Sequence, residues 1–221
     1  MDHAETAVMQ APSRREIGAG VYSEKLGMWV FLGSEVLFFT VLIGSYIILR
    51  FGSPESFADP GKILNIPVTA VNTFLLICSS MTMVKAFACV QDGNQKGLKL
   101  FLVATVLIGA TFVSVQVFEY LQLAHEGFLP SGYVDGSHFA ELAAAGDLPA
   151  KVNIYGSTFF TMTGFHGFHV TMGVVCMVYV TIKAFQGKYT ATDHRGVEVI
   201  GLYWHFVDLV WILLFTIVYL M

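Results

Sequence analysis

Five stretches of this chain, residues 26–49, 67–90, 98–123, 154–185 and 197–221, are each long and apolar enough to cross a membrane. No other feature constrains the fold as strongly. Each stretch exceeds the roughly 20 residues that a helix needs to traverse about 30 Å of hydrocarbon. Backbone N–H and C=O groups find no water there, so helices or closed barrels are the only spanning structures. Barrel strands would read as short alternating segments, and such segments are absent from the sequence. The expected fold is therefore all-α: a polytopic bundle of five transmembrane helices over residues 25–221, preceded by a polar tail over residues 1–24. Composition agrees, since 55% of the chain is hydrophobic and only 13% charged, which excludes an ordinary soluble domain.

Charge sets the expected topology. Of the twelve Lys and Arg residues, nine (Arg14, Arg15, Lys25, Lys85, Lys96, Lys99, Lys183, Lys188 and Arg195) fall on one side of a five-span chain. Arg50, Lys62 and Lys151 fall on the other. The positive-inside rule then puts the N-terminus in the cytoplasm and the C-terminus outside. The tail carries no apolar core, so no cleavable leader is expected. Cys78, Cys89 and Cys176 all lie within spans and form no CxxC pair, so neither a disulfide framework nor a thiolate metal site is indicated. The short QDGNQK turn at 91–96 makes the second and third spans antiparallel neighbours. In the long connection 124–153, Pro130, Gly132 and Gly136 argue against regular structure, whereas HFAELAAA suits a short helical turn.

The chemistry must lie in the ionisable groups placed in hydrocarbon. His166 and His169 stand three residues apart, with Gly156, Ser157, Gly164 and Gly167 among aromatics around them. That spacing puts both imidazoles on nearly one helical face. Glu35 falls within about 5 Å of its span's midpoint at 1.5 Å per residue, so it is expected to be protonated or hydrogen-bonded inside the bundle. Gln116 and Glu119 share a face near one interface. Glu198 and His205 are seven apart, and Asp208 follows a turn later, framed by Tyr203, Trp204 and Trp211. A bilayer tolerates such groups only where they face protein, water or a cofactor. The residues alone leave three readings open. His166 with His205 could ligate a metal or haem, although the glycine and aromatic neighbours leave little room for a macrocycle. The carboxylates and histidines could relay protons. Or they could hydrogen-bond to one another and to lipid headgroups.

IYGSTFFTMTGFHGFHV at 154–170 and YWHFVDLVWILLF at 203–215 resemble subunit III of the cytochrome c oxidases, as do SEVLFF around Glu35 and QVFEY around Glu119 in the order they fall. The resemblance runs from about residue 27 to 221. It implies a subunit of a haem-copper terminal oxidase, a proton-pumping enzyme that reduces O₂ to water in the bacterial plasma membrane. Subunit III itself is implied to have no catalytic residue and no metal ligand. Haem and copper lie in partner subunits, and this chain would bind phospholipid and support proton uptake. Glu35 matches the family's carbodiimide-reactive carboxyl, and Glu119, His166, His169, Glu198, His205 and Asp208 match its buried polar positions. Implied partners are oxidase subunits I and II, a small subunit IV, membrane lipids and a larger respiratory assembly, with no nucleic acid. The mitochondrial-type subunit has seven helices, and the two that precede SEVLFF are missing here, so this chain alone cannot form the usual lipid cleft. The short plan is shared with quinol oxidases and with an accessory protein of nitric oxide reductases.

Overall fold

The computed structural model describes residues 22–221, so the expected polar tail lies almost wholly outside the described residues. Five long helices correspond to the five apolar runs: α1 (Ser23–Gly52), α3 (Ile66–Gln91), α4 (Gln95–His125), α6 (Asn153–Phe185) and α7 (Arg195–Tyr219). Two short helices lie in the connections, α2 (Pro60–Ile63) and α5 (His138–Ala144). The apolar runs are mostly shorter than the helices at their ends because polar caps extend them. Asn65 accepts from the Val68 amide at 3.4 Å to start α3, and Asn94 accepts from the Gly97 amide at 3.0 Å to start α4. Between α3 and α4, Gly93 takes φ of 72°, which lets the chain reverse within three residues.

α3, α4, α6 and α7 close into a four-helix ring, and α1 docks outside it against α6 and α7. Trp204 of α7 is the plug at the centre of the ring. Its indole lies over two glycines: a Cβ built on Gly109 of α4 would stand 2.7 Å from the indole, and one on Gly173 of α6 would stand 3.0 Å from it. The indole N–H donates to the Ser79 hydroxyl of α3 at 2.9 Å, so one side chain engages all three other helices of the ring. Small residues at these crossings let the backbones approach, as membrane helices require when no hydrophobic force drives them together. α1 by contrast buries only Phe39 and Tyr46. It runs parallel to α7, and its outward face carries Val30, Leu37, Val41 and Ile48 for hydrocarbon.

The connection between α4 and α6 corrects one expectation. The short helix appears at α5, but the stretch expected to be irregular forms a small antiparallel ladder, β1 (Phe128–Leu129) with β2 (Gly132–Tyr133). Gly132, read as a breaker, supplies its turn geometry with φ of 111°, and Gly127 just before β1 takes φ of 88°. Phe128 anchors the ladder by packing on Phe139, Tyr155, Phe159 and Phe160. The ladder rests on the start of α6. Ser157 donates to the Pro130 carbonyl at 2.7 Å, and a Cβ at Gly156 would come within 2.6 Å of the Leu129 carbonyl oxygen. Gly164 and Gly167, grouped with Gly156 by sequence, have only ordinary contacts.

Candidate functional site

The polar groups within the spans do not converge on one centre. They form separate clusters, each tying two or three helices together. Near the middle of α1 and α6, a Glu35 carboxylate oxygen lies 3.2 Å from His169 Nε2. His169 Nδ1 lies 2.7 Å from the Phe165 carbonyl of its own helix, and a carbonyl can only accept, so Nδ1 carries a proton. The Glu35–His169 contact therefore holds one further proton between its two atoms. Whichever partner carries that proton, the pair is net neutral, which makes it tolerable at this depth.

His166 points elsewhere. It is fully buried, its Nε2 donates to the Val207 carbonyl of α7 at 3.1 Å, and its ring lies 4.7 Å from that of Trp211. His166 and His169 lie on nearly one helical face, as the spacing predicts, yet they meet different neighbours. Three residues leave 60° between the side chains, enough to send one inward to α7 and the other sideways to α1.

Three further clusters involve α7. Glu198, near its start, accepts from the Tyr22 hydroxyl at 2.6 Å and from the Lys25 ammonium at 2.5 Å, fastening the beginning of α1. Arg195 completes this corner with its guanidinium 5.3 Å from the Tyr22 ring centroid. Burial, then the bond to Glu198, pushes the Tyr22 phenol far above its ordinary range. At mid-helix the His205 ring nitrogen Nδ1 lies 3.0 Å from the Ser80 hydroxyl of α3. Asp208 faces the same pair. Near the other end, Glu119 of α4 accepts from Thr69 of α3 at 3.2 Å and from Tyr219 of α7 at 3.1 Å. Glu198 and His205 share a helix face as expected but engage different neighbours and never meet.

His166 and His205 likewise take separate partners, on α7 itself and on α3, so they do not face each other as a haem-ligating pair would. Among the described residues no three His, Cys, Asp or Glu side chains group as metal ligands. Cys78, Cys89 and Cys176 are free thiols. Sequence reasoning missed Tyr22, Tyr219 and the central role of Ser80. No local pattern could have exposed them, because each meets its partner across at least 100 residues of chain.

Five long, apolar helices joined by isolated buried polar contacts define an integral membrane protein of the helical-bundle class. The chain matches the cytochrome c oxidase subunit III family over residues 16–221 and belongs to it. It is similar to cytochrome c oxidase subunit 3 of Thermostichus vulcanus, with 32% identity over 197 residues, 89% of this chain and 86% of the relative. Quinol oxidase subunit 3 of Bacillus subtilis is 31% identical over 221 residues, 100% of this chain and 98% of the relative. The probable cytochrome c oxidase subunit 3 of Nocardia farcinica is 32% identical over 194 residues, 88% of this chain and 86% of the relative. The family is a subunit of a haem-copper respiratory oxidase, and five apolar helices make this member a multi-pass protein of the bacterial plasma membrane.

Proposed function

We propose that this chain is a non-redox accessory subunit of a proton-pumping haem-copper oxidase. In this role it stabilises the catalytic subunit I, adjoins subunit II and a small subunit IV, and supports proton uptake while O₂ is reduced to water. Haem and copper belong to those partners, and a larger respiratory assembly is the natural setting. The observation that carries the non-redox reading is the use made of the three intramembrane imidazoles. Each is held by a protein acceptor or hydroxyl on its own or a neighbouring helix, so each orders the bundle. Glu35, the carboxyl matched to the carbodiimide-reactive position, is held by His169 and poised at the edge of the bundle.

The chain also binds phospholipid in this reading. A groove of about 480 Å³ runs between α4 and α6, lined by Val103, Val106, Leu107, Val178, Ile182 and Phe185. Lys99 ends it, its ammonium 5.4 Å from the Phe185 ring centroid. Lys96, one turn earlier on α4, faces the same way. An acyl chain fits the groove, and the two ammonium groups suit an anionic headgroup on the cytoplasmic side, where the lysine-rich ends of the helices are placed.

The relatives support two electron donors, since cytochrome c oxidases and quinol oxidases both match nearly the whole chain. A gentle detergent pull-down of the chain, with a redox difference spectrum and O₂ uptake on reduced cytochrome c or on a quinol, tests the reading and separates the donors. A haem-copper spectrum with O₂ uptake is expected. A colourless chain recovered alone would defeat the proposal.

A further inference from the structure

The Ser80–His205–Asp208 cluster differs from the other polar groups at the surface of the bundle. Several exposed hydroxyls elsewhere on the spans satisfy themselves within their own helices. Ser34 donates to the Phe31 carbonyl, Thr111 to Leu107, Ser114 to Ala110, Thr171 to Gly167 and Thr216 to Ile212. Such groups need nothing from the bilayer. Ser80 instead reaches across to His205 on α7. Beside them Asp208 is only 7% exposed, and its Oδ1 is shielded from solvent without a hydrogen-bond partner among the described residues.

These three side chains line an open cleft of about 320 Å³ whose rim is Met81, Val84, Leu209 and Ile212. Counting along α3 and α7, all three lie within about 3 Å of mid-helix at 1.5 Å per residue. The cleft therefore opens sideways at the centre of the hydrocarbon, through an apolar rim. Lipid tails at that depth carry no donor, and a carboxyl oxygen held there without one is among the costliest arrangements a span can adopt.

We infer that this α3/α7 face is the docking surface for a transmembrane helix of another oxidase subunit, which inserts a hydrogen-bond donor between His205 and Asp208. The inference rests on the accessory-subunit reading and adds to it the face and the chemistry of the contact. His205 keeps Nε2 for the partner, and Asp208, whose Oδ1 has no hydrogen-bond partner among the described residues, supplies the acceptor. An Asn, Ser, Lys or Arg at mid-depth of the incoming helix fits this pair. Met81, Val84, Leu209 and Ile212 form the apolar seam around it, as hydrophobic surroundings do for a central polar anchor at other interfaces.

The test places a photo-crosslinking amino acid at Met81 and at Leu209, which are 60% and 58% exposed, and at Leu107, which is 62% exposed beside the α4/α6 groove. The whole complex is irradiated in native membranes. Adducts with an oxidase subunit are expected from positions 81 and 209, and lipid adducts from 107. Lipid or quinone adducts alone from 81 and 209, with the oxidase still co-purifying, would overturn the interface and leave the accessory reading intact. Failure of the unsubstituted chain to bring down any oxidase would remove the accessory reading and the interface with it. In parallel, Asp208→Asn keeps an acceptor and should retain the subunit, whereas Asp208→Leu should lower retention on detergent washing by roughly 3- to 30-fold, the range of one interhelical hydrogen bond in a bilayer. Equal retention of the two variants would refute the hydrogen-bonding role.

Discussion

Single residues set the tolerances of this bundle. Gly109 and Gly173 leave room for one indole, so Gly109→Ala would force its methyl to within 2.7 Å of Trp204. Overpacking of this kind costs about 1–3 kcal/mol, and Gly109→Ala should lower the midpoint of thermal unfolding in detergent, whereas Gly164→Ala, with nothing closer than 3.8 Å, should leave it nearly unchanged. Tyr133 illustrates a different constraint. Its hydroxyl is shielded without a partner among the described residues, and burial pushes the phenol up to about 12. The folded state thus holds a proton that the unfolded chain releases near pH 10. The stabilisation is complete below that pH and is lost as pH rises through 12. Tyr133→Phe should remove this alkaline loss from a series of melts between pH 8 and 12. At neutral pH the same variant should be neutral or more stable by about 1 kcal/mol, because an unpaired polar group is gone.

At the scale of elements, α1 is the loosely held member. Its sequence announced a span as clearly as any other, because length and apolarity suffice for that. What fastens it was not legible. Glu35 was visible as an acid in need of company, yet nothing local to SEVLFF says that the company is His169. The 3.6-residue period places a side chain on a face but does not say which helix that face meets. His166 and His169 show the same limit, since the 60° between them decides between two neighbours that only the packed bundle supplies. The proton held between Glu35 and His169 makes a sharp prediction. Glu35→Gln keeps a donor for Nε2 and should leave α1 in place, with the subunit retained in the complex. Glu35→Leu strips the imidazole of its partner, and hydrogen exchange should then rise along α1 before it rises along α4 or α6.

At the scale of the whole molecule, the sequence carries the number of crossings, their order and the antiparallel pairing of α3 with α4. It also carries the family resemblance that names the oxidase context. The small β1–β2 ladder and the sideways-opening cleft were not legible, because each depends on how distant segments close on one another. Ser80 gains its role only where α7 brings His205 to it. Orientation can be settled directly. With the N-terminus cytoplasmic, Lys151→Cys should react with a membrane-impermeant thiol reagent added to intact cells, and Lys188→Cys should react only after the membrane is opened. The reverse pattern would invert the topology.

The parallel seam between the first and last spans also has a consequence in time. Lys25 and its acceptor Glu198 are separated by 173 residues, so at a synthesis rate of about 5–20 residues per second the acceptor leaves the ribosome roughly 10–35 s after the lysine. For the 134 residues between Glu35 and His169, about 7–27 s at the same rate, α1 stands in the bilayer with Glu35 and no histidine to share its proton. The oldest segment of the chain is the last to be locked, and the newborn subunit passes through a period in which its acid must be sheltered by water, by the insertion machinery or by a neighbouring protein.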